Sequence, residues 1–303
     1  MEKNKPIFSI LITTKNRLSD LKFTLVKIHH LLLRSDVECI IFDDGSNDET
    51  SSFIQEHYPD IILFRNHISK GLIYCRNKML NYTAAKYAIS LDDDAHFESE
   101  NVLENIEQHF ISNPKCGVIA CSIFWGQEFP KTTFTHETVE RTKGFVGCGH
   151  IWNMKAWQDI PDYPDWFVFY GEEDFAAFQL FKKDWEIQYL PTILVHHRVD
   201  VKSRRKQNDY QIRLRRSLRA GWYLYFLFYP INQIPRKLVY TLWVQIKKKV
   251  LKGDVKAVFA ILQALGDVMF NFPKLWKQSN RLKMSEFKKF NDLTETKIYW
   301  QPK

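Results

Sequence analysis

The feature that most constrains the fold of this chain is a repeated unit of a short apolar strand, a polar turn and an amphipathic helix. The first strand is predicted at residues 7–12, and leucine and isoleucine recur at helical spacing over residues 18–32. Three further strands are predicted at residues 37–42, 61–64 and 87–91. Because strands that alternate with helices are joined by right-handed crossovers, the pattern predicts an α/β fold with a mainly parallel, Rossmann-like sheet flanked by helices.

Two of the predicted strands end in acidic turns. One is followed by Asp92, Asp93 and Asp94, and another by Asp43 and Asp44. Carboxylates in a row repel one another, so a fold tolerates them where water solvates them or where a cation neutralises them. Ligands bind beyond the carboxyl ends of strands in open α/β sheets, and Mg²⁺ and Mn²⁺ prefer carboxylate oxygens. An acidic surface turn and a cation site both remain open, and the second acidic turn favours the cation site.

A second group of polar residues follows a glycine-rich and aromatic stretch. Glu172, Glu173 and Asp174 open a predicted helix, and His196 and His197 follow a predicted strand. Acidic residues suit the first turn of a helix, and a carboxylate near a hydroxyl can also act as a general base. A histidine after a strand is usually structural, and imidazole is also a good metal ligand. These residues are therefore candidates for function with a structural alternative for each.

The net charge of +8 divides unevenly along the 303-residue chain. Residues 201–303 carry a formal charge of +17, whereas residues 1–200 carry −9. Amphipathic helices are predicted at 207–229, 238–251 and 255–272. The sequence therefore predicts an α/β domain at 1–200 and a basic, amphipathic helical region at 201–303.

The basic region has two functional interpretations beside that of a solvated helix face. Basic faces with interleaved aromatic residues bind nucleic acid, and they also lie on anionic membranes. The basic residues concerned are Lys202, Arg204, Arg205, Lys206, Arg213, Arg215, Arg216 and Arg219. No apolar segment opens the chain, and the apolar run at 222–229 is far shorter than the roughly 20 residues of a membrane span. We therefore expect a cytoplasmic protein, peripheral on the inner face of the plasma membrane if the membrane interpretation holds.

Four segments together resemble the nucleotide-sugar-binding half of family 2 glycosyltransferases. They lie at residues 10–17, 42–50, 71–77 and 91–94, in the order and spacing of that family. The resemblance covers residues 6–200 and implies the GT-A fold. It also implies an inverting, metal-dependent transfer of a sugar from a nucleotide-diphosphate sugar to a hydroxyl acceptor, which is a glycan or a lipid-linked saccharide. A membrane is favoured over nucleic acid as partner of the basic region, because relatives often act on lipid-linked or envelope glycans.

The resemblance also implies a role for the donor-binding and metal-binding residues. Thr13 and Asp44 would hold the base of the nucleotide, Arg76 would lie by the diphosphate, and Asp92 would touch the ribose or the donor sugar. Asp94 would bind a divalent Mg or Mn ion in a DxD pattern, with His197 as the second ligand, although the neighbouring His196 leaves that choice open. The full donor set is Thr13, Thr14, Asn16, Arg17, Asp44, Gly71, Arg76, Asp92, Gly147 and Gly149.

For catalysis, the resemblance assigns the general base to Asp174. Glu173, Trp166 and Tyr170 would contact the acceptor, although the two aromatic residues suit a core position equally well. Two other functions remain open from the residues alone. One is a nucleotidyltransferase acting on a sugar phosphate, which would release pyrophosphate. The other is a non-catalytic basic protein that binds nucleic acid or membrane, for which the Glu173-Asp174 pair would have no use.

Overall fold

The computed structural model describes residues 5–199 and 209–302, and it confirms an α/β fold. Its first four strands lie parallel in the order β3-β2-β1-β4. These strands match the predicted ones within a residue or two, because each is a short run of apolar residues bounded by polar turns. They are β1 (Phe8–Thr14), β2 (Val37–Asp43), β3 (Ile62–Arg65) and β4 (Tyr87–Asp92).

The second half of the sheet is mixed rather than parallel. Strand β8 lies antiparallel between β4 and β6, and β9 lies parallel to β6 but antiparallel to β5 and β7. The sheet is thus mainly parallel, as predicted, and its antiparallel pairings are those of β5, β7 and β8. The remaining strands are β5 (Ala95–Phe97), β6 (Cys116–Trp125), β7 (Glu140–Thr142), β8 (Gly149–Asn153) and β9 (Glu186–His197).

Helices cover both faces of this sheet. In β1, Ile10 and Ile12 pack in one core cluster with Leu25, whereas Leu11 belongs to the opposite cluster with Met79. Successive strand residues point to opposite faces, so an uninterrupted apolar strand supplies two cores at once. The helices of this part are α1 (Leu18–Leu32), α2 (Thr50–His57), α3 (Leu72–Tyr82), α4 (Val102–Ser112), α5 (Met154–Gln158) and α6 (Glu172–Lys182).

The C-terminal region is helical, as predicted, and it shares a core with the rest of the protein. The ring of Phe178 in α6 stacks on Phe228 at 4.8 Å and on Phe290 at 4.6 Å between centroids. The domain boundary predicted near residue 200 falls outside the described residues and stays a prediction. The helices are α7 (Tyr210–Phe228), α8 (Ile234–Lys248), α9 (Val255–Lys277) and α10 (Met284–Asn291).

Helix α9 is a candidate membrane span that the sequence analysis, which considered only the run at 222–229, did not weigh. It has 23 residues and is long and apolar enough to cross a bilayer by length and composition alone. The apolar character of α9 is not obvious from the sequence, because Gln263, Asp267 and Asn271 interrupt its apolar residues. In the structure one side of α9 packs on α7, where Ala260, Ala264 and other residues are buried.

Three of the four α7 arginines named in the sequence analysis contact other groups of the protein. Arg215 donates from Nε to Asp267 Oδ2 of α9 at 2.7 Å, and Arg219 donates to the carbonyl oxygen of Phe167. Arg213 forms an ion pair with Asp209 at 3.0 Å. Arg215 and Arg219 both lie near Asp267, a carboxylate of α9 whose position the charge count alone could not give. The predicted basic cluster at 202–206 lies outside the described residues.

The chain ends with an extended segment, residues 293–300, that returns to the sheet. Lys143 N–H donates to the carbonyl oxygen of Thr294 at 2.8 Å, and Trp300 N–H donates to that of Ile123 at 2.8 Å. Trp125 Nε1 also donates to the carbonyl oxygen of Ile298 at 2.7 Å. The sequence analysis predicted no element here. We call residues 293–300 the C-terminal strap.

Phe178→Ala should reveal how strongly the C-terminal helices stabilise the α/β body. Loss of a buried ring that stacks on two others should lower the free energy of unfolding by about 3–5 kcal/mol. Urea denaturation followed by circular dichroism measures the change. Phe270→Ala is the matched control, because that ring is 86% exposed and its loss should change little. Equal effects of the two substitutions would contradict the shared core.

Candidate active site

The sheet register brings the predicted donor-binding residues to one edge. Thr13 pairs with Asp92 across β1 and β4, and Thr14 pairs with Asp43 across β1 and β2. Strand β8 begins at the same edge with Gly149, opposite the end of β4, and β9 ends there at His197. Because parallel strands end on the same side of a sheet, polar turns far apart in sequence meet in one cleft.

Asp94 and His197 face each other in this cleft. Asp94 Oδ1 lies 3.0 Å from His197 Nε2, and both side chains are buried. The contact between them does not have hydrogen-bond geometry, and neither atom makes a hydrogen bond to another described residue, so both could bind a cation. Asp92 completes a group of three ligand atoms within 4.8 Å of one another, and such an arrangement fits a divalent cation.

His196 points away from this group. Its Nε2 lies 2.8 Å from the carbonyl oxygen of Gly126, and its Nδ1 lies 3.5 Å from Glu98 Oε1. Adjacent residues of a strand face opposite sides of the sheet, so only one of two neighbouring histidines can reach Asp94. The geometry therefore selects His197 as the candidate ligand, a choice that the sequence left open.

Arg17 lies against the acidic cluster. Its Nη2 is 2.6 Å from Asp94 Oδ2 and its Nη1 is 3.2 Å from Asp93 Oδ1. Burial alone would raise the pKa of Asp94, but His197 and Arg17 hold that pKa below its ordinary value. Asp94 is therefore ionised at neutral pH, and Arg17 compensates part of the charge that three adjacent aspartates bring together.

Asp93, to which the sequence analysis gave no role, anchors the turn. Its carboxylate accepts a hydrogen bond from Thr14 Oγ1 at 2.8 Å, and its carbonyl oxygen accepts one from Thr24 Oγ1 at 2.7 Å. Burial raises the pKa of Asp93 to about 8, although the charge of Arg17 acts in the opposite direction. Asp93 thus fixes the backbone on which Asp92 and Asp94 are mounted.

Asp44 is occupied by the protein itself. Its Oδ1 accepts hydrogen bonds from Asn66 Nδ2 at 2.7 Å and from Lys70 N at 2.8 Å, and its Oδ2 accepts from Ser69 Oγ at 2.6 Å and from Gly71 N at 2.9 Å. Although burial opposes it, these bonds lower the pKa of Asp44. A carboxylate has about four acceptor positions, so a bond to a nucleotide base would have to replace one of these.

The loop after β1 presents two further donor candidates. Thr13 Oγ1 is buried and has no hydrogen-bond partner among the described residues, so it is available to a ligand at the sheet edge. Asn16, with a φ of 53°, donates from its backbone N–H to Ser46 Oγ at 2.9 Å and accepts from Asn47 N at 2.7 Å. Asn16 therefore ties the loop after β1 to the loop after β2.

Arg76 of α3 is buried at the centre of the site. Its Nη2 lies 3.0 Å from Asp92 Oδ1 and donates to the carbonyl oxygen of Gly147 at 2.8 Å. Its Nη1 lies 3.0 Å from Glu172 Oε1 and 3.4 Å from Glu173 Oε1. These contacts connect the donor side of the cleft to the start of α6. The position beside the diphosphate that the resemblance implies stays a prediction.

Three glycines predicted in the donor site are required by close packing. A Cβ on Gly147 would lie 1.9 Å from Glu173 Oε1, and one on Gly149 would lie 2.9 Å from Val195 Cγ2. Gly71 has a φ of 98°, and a Cβ there would lie 2.9 Å from the carbonyl oxygen of Val168. Side chains at these positions would displace the residues that build the cleft.

The first turn of α6 carries three carboxylates in different surroundings. Burial, with repulsion from Glu173, raises the pKa of Glu172 to about 8, against the opposing charge of Arg76. Desolvation raises the pKa of Asp174 to about 6, and the charge of Glu173 adds to this effect. The side chain of Asp174 is nevertheless exposed. We call the space around it the recess, because surrounding protein limits the hydration of the carboxylate there. The sequence analysis missed Glu172, because nothing in three adjacent acidic residues shows which one is buried.

The C-terminal strap borders this recess. A Cβ built on Gly144 would lie 2.7 Å from Thr296 Oγ1 and 4.0 Å from Asp174 Oδ1, so both groups face the same small space. The ring of Trp125 packs on His197 at 4.5 Å and on Tyr299 of the strap at 5.6 Å. Residues 294–297 are polar and residues 298–300 are apolar or aromatic, so no alternating pattern indicated an extended segment here.

Trp166 and Tyr170 lie in the aromatic stretch before α6, and both are half-buried. The ring of Trp166 packs on Tyr223 of α7 at 5.1 Å, and Lys274 Nζ lies 4.3 Å from its centre. Tyr170, with a φ of 72°, packs edge-on against Phe169. Trp166 thus contributes to the junction with α7 and α9, and the assignment of both residues to the acceptor stays a prediction.

Comparison with known proteins agrees with this geometry. A family model described as "Glycosyl transferase family 2" matches residues 9–185, which is more than half of the chain. An uncharacterized glycosyltransferase of Bacillus subtilis, YfnE, is 26% identical over 119 residues, which cover 39% of this chain and 30% of YfnE.

Solved structures show the fold at low sequence identity. The mannosyltransferase PcManGT of Pyrobaculum calidifontis, in complex with GDP-Man and Mn²⁺, is 15% identical with a TM-score of 0.56, over 88% of this chain and 76% of that one. GalNAc-T7, with UDP, GalNAc and Mn²⁺, is 15% identical with a TM-score of 0.55, over 74% of this chain and 50% of its own. The chain thus spans about a third of YfnE and half of GalNAc-T7. With the family match over residues 9–185 and the α/β architecture of these structures, the chain belongs to glycosyl transferase family 2 and has the GT-A fold.

Proposed function

We propose that this protein transfers a sugar from a nucleotide-diphosphate sugar to a hydroxyl group of a glycan or a lipid-linked saccharide. The transfer inverts the anomeric carbon and depends on a divalent metal. The observation that supports it most directly is the pair formed by Asp94 and His197 at the carboxyl edge of the sheet, whose facing atoms make no hydrogen bond to any other described residue. PcManGT and GalNAc-T7, which share the fold, hold nucleotides and Mn²⁺.

Asp94 Oδ1, His197 Nε2 and an oxygen of Asp92 are the atoms that would hold the metal, either Mg²⁺ or Mn²⁺. A divalent ion there would neutralise the charge that develops on the leaving diphosphate. Arg17 already contacts the second oxygen of Asp94, so it supplies a further positive charge at the same point. The free hydroxyl of Thr13 is placed to bind the nucleotide at the same sheet edge.

Asp174 is proposed as the general base. It accepts the proton of the acceptor hydroxyl, and the acceptor oxygen forms a bond to the anomeric carbon on the face opposite the leaving group. The bond from that carbon to the diphosphate oxygen breaks, and the nucleoside diphosphate leaves with the electron pair. A base with a pKa of about 6 is deprotonated at neutral pH and still able to take a proton, which suits this task.

Glu173 and Arg76 are proposed to position Asp174 and the donor relative to each other. Arg76 contacts Asp92 on the donor side and both Glu172 and Glu173 on the α6 side. Glu173 also fills the space above Gly147 and faces the recess that holds Asp174. The distance between donor and base is therefore set by side chains that are themselves held by an ion-pair network.

Nucleotide binding should raise the melting temperature in a metal-dependent manner. A thermal-shift panel of UDP, GDP, CDP and TDP, each with and without Mn²⁺, should give a shift with one base type that requires the metal, because a bound ligand stabilises by mass action. Asp94→Asn should abolish the metal dependence, whereas Asp60→Asn, at an exposed aspartate, should not. No shift with any nucleotide would refute the donor site.

Asp174→Asn should abolish turnover without abolishing donor binding. Loss of a general base typically lowers the rate by about 10²–10⁴-fold. The measurement is nucleoside diphosphate release from the matching nucleotide sugar, with the thermal shift as the control for binding. Full activity in the variant would show that Asp174 is not the base. Release of pyrophosphate instead would identify a nucleotidyltransferase.

The pH dependence should follow Asp174. Because the base must be deprotonated, activity should rise with pH through about 6 and level off above it. Glu173→Gln removes a negative charge that raises the pKa of Asp174, so the midpoint of the rise should move to lower pH. Glu128→Gln, at an exposed position, is the matched control. If Glu173→Gln leaves the midpoint unchanged, the group that controls the pH dependence of activity is not Asp174.

A further inference from the structure

Helix α9 exposes an apolar face along its whole length. Residues spaced three, four or seven apart point into solvent, as expected for one side of a helix. Their exposed fractions lie between 52% and 86%, which is unusual for large apolar residues of a folded protein. They are Val255, Phe259, Leu262, Met269, Phe270 and Trp276.

The opposite side of α9 is already covered by the protein. Ala257, Ala260, Ala264 and Val268 are buried, and α9 packs extensively on α7. The ion pair of Asp267 with Arg215 fixes this contact. The helix is apolar on both sides, and only one side has a partner among the described residues.

Helix α8 carries a second set of exposed apolar residues. Val239, Tyr240 and Trp243 are 66%, 64% and 55% exposed, and together with Pro235 and Arg236 they line an open recess. Helix α7 holds both helices, because Trp222 Nε1 donates to Thr241 Oγ1 of α8 at 3.0 Å and Phe226 packs on Phe272 of α9 at 5.6 Å. We call the exposed apolar residues of α8 and α9 the α8–α9 face.

The charged residues around the α8–α9 face are mainly positive. Residues 230–280 contain nine Lys and Arg and only two Asp and Glu. Both acidic residues are engaged inside the protein, since Asp254 Oδ2 accepts from Tyr210 OH at 2.6 Å and Asp267 pairs with Arg215. Exposed lysines remain on the outside of the two helices, namely Lys247, Lys248, Lys252, Lys256, Lys274 and Lys277.

We infer that the α8–α9 face binds the surface of an anionic bilayer, with α9 lying in the plane of the interface. Apolar residues beside lysines, with Tyr240, Trp243 and Trp276 at the boundary, have the chemistry of an interfacial helix. A span across the bilayer would require α9 to leave α7, which would separate Asp267 from Arg215 and carry an unpaired carboxylate into hydrocarbon. A second copy of this chain would bring the same lysines face to face, so charge disfavours it as the occupant.

This inference does not depend on catalysis. It assigns the contact to the exposed apolar residues of α8 and α9, whereas the sequence analysis assigned it to basic residues at 202–219. Membrane binding and nucleotide binding are therefore separate properties, and each can fail without the other.

The test is co-sedimentation of the full chain with vesicles of phosphatidylcholine alone and of phosphatidylcholine with about 30% phosphatidylglycerol. The wild type should bind the anionic vesicles at least about tenfold more strongly, and raising the salt to about 0.5 M should weaken that binding. Phe270→Glu should lower binding by about tenfold or more, because it puts a charge where an apolar side chain enters the interface. Phe134→Glu, at a ring 64% exposed outside the α8–α9 face, is the matched control and should bind as the wild type does.

Unchanged melting temperatures of the two variants show that both are folded. Equal binding to the two kinds of vesicle, or binding that Phe270→Glu leaves intact, would overturn the inference. Resistance of bound protein to alkaline carbonate extraction would overturn it in favour of a membrane span. A dimer in solution that Phe270→Glu dissociates, with no vesicle binding, would assign the face to a second copy of this chain.

Discussion

The arrangement of the site depends on one buried guanidinium. Arg76 is 5% exposed, and it contacts Asp92, the carbonyl oxygen of Gly147 and the two glutamates of α6. Removing one partner from such a group leaves an uncompensated buried charge, so the carboxylates and the arginine hold one another in place. Arg76 therefore links Asp92, at the end of β4, directly to the first turn of α6, the helix that carries Asp174.

Charge compensation also explains why this edge of the sheet can be so acidic. Three consecutive aspartates follow β4, yet each has a different environment: Asp92 meets Arg76, Asp93 is buried against Thr14, and Asp94 lies between Arg17 and His197. Each carboxylate is thus stabilised by a different group of the protein, and solvent alone does not have to offset the repulsion between them. The adjacent residues have diverged in role because the turn points each side chain in a different direction.

The sequence predicted the parts of this protein that follow from local periodicity. The first four strands, the helices between them and the meeting of the two acidic turns at one edge follow from buried strands and parallel register, whereas Thr13 and His197 were assigned to the site only by the resemblance. The sequence did not predict the contacts that join distant segments. These are the antiparallel insertion of β8, the four hydrogen bonds to Asp44, the burial of Glu172 and the C-terminal strap. Each depends on which segments pack together, and one sequence carries no direct signal of that.

The strap has a consequence for how the protein is made. Trp300, 3% exposed, hydrogen-bonds to Ile123 through its backbone, and Trp125 bonds to Ile298, so the wall beside His197 is formed by contacts between segments far apart in the chain. Residues 9–185, which match the family, leave the ribosome long before the strap that forms the wall of the cleft. During synthesis the α/β body can form first, with its cleft open on one side. The wall of the cleft forms only after the strap has been made, through contacts such as the one from Trp125 to Ile298 that join segments 173 residues apart.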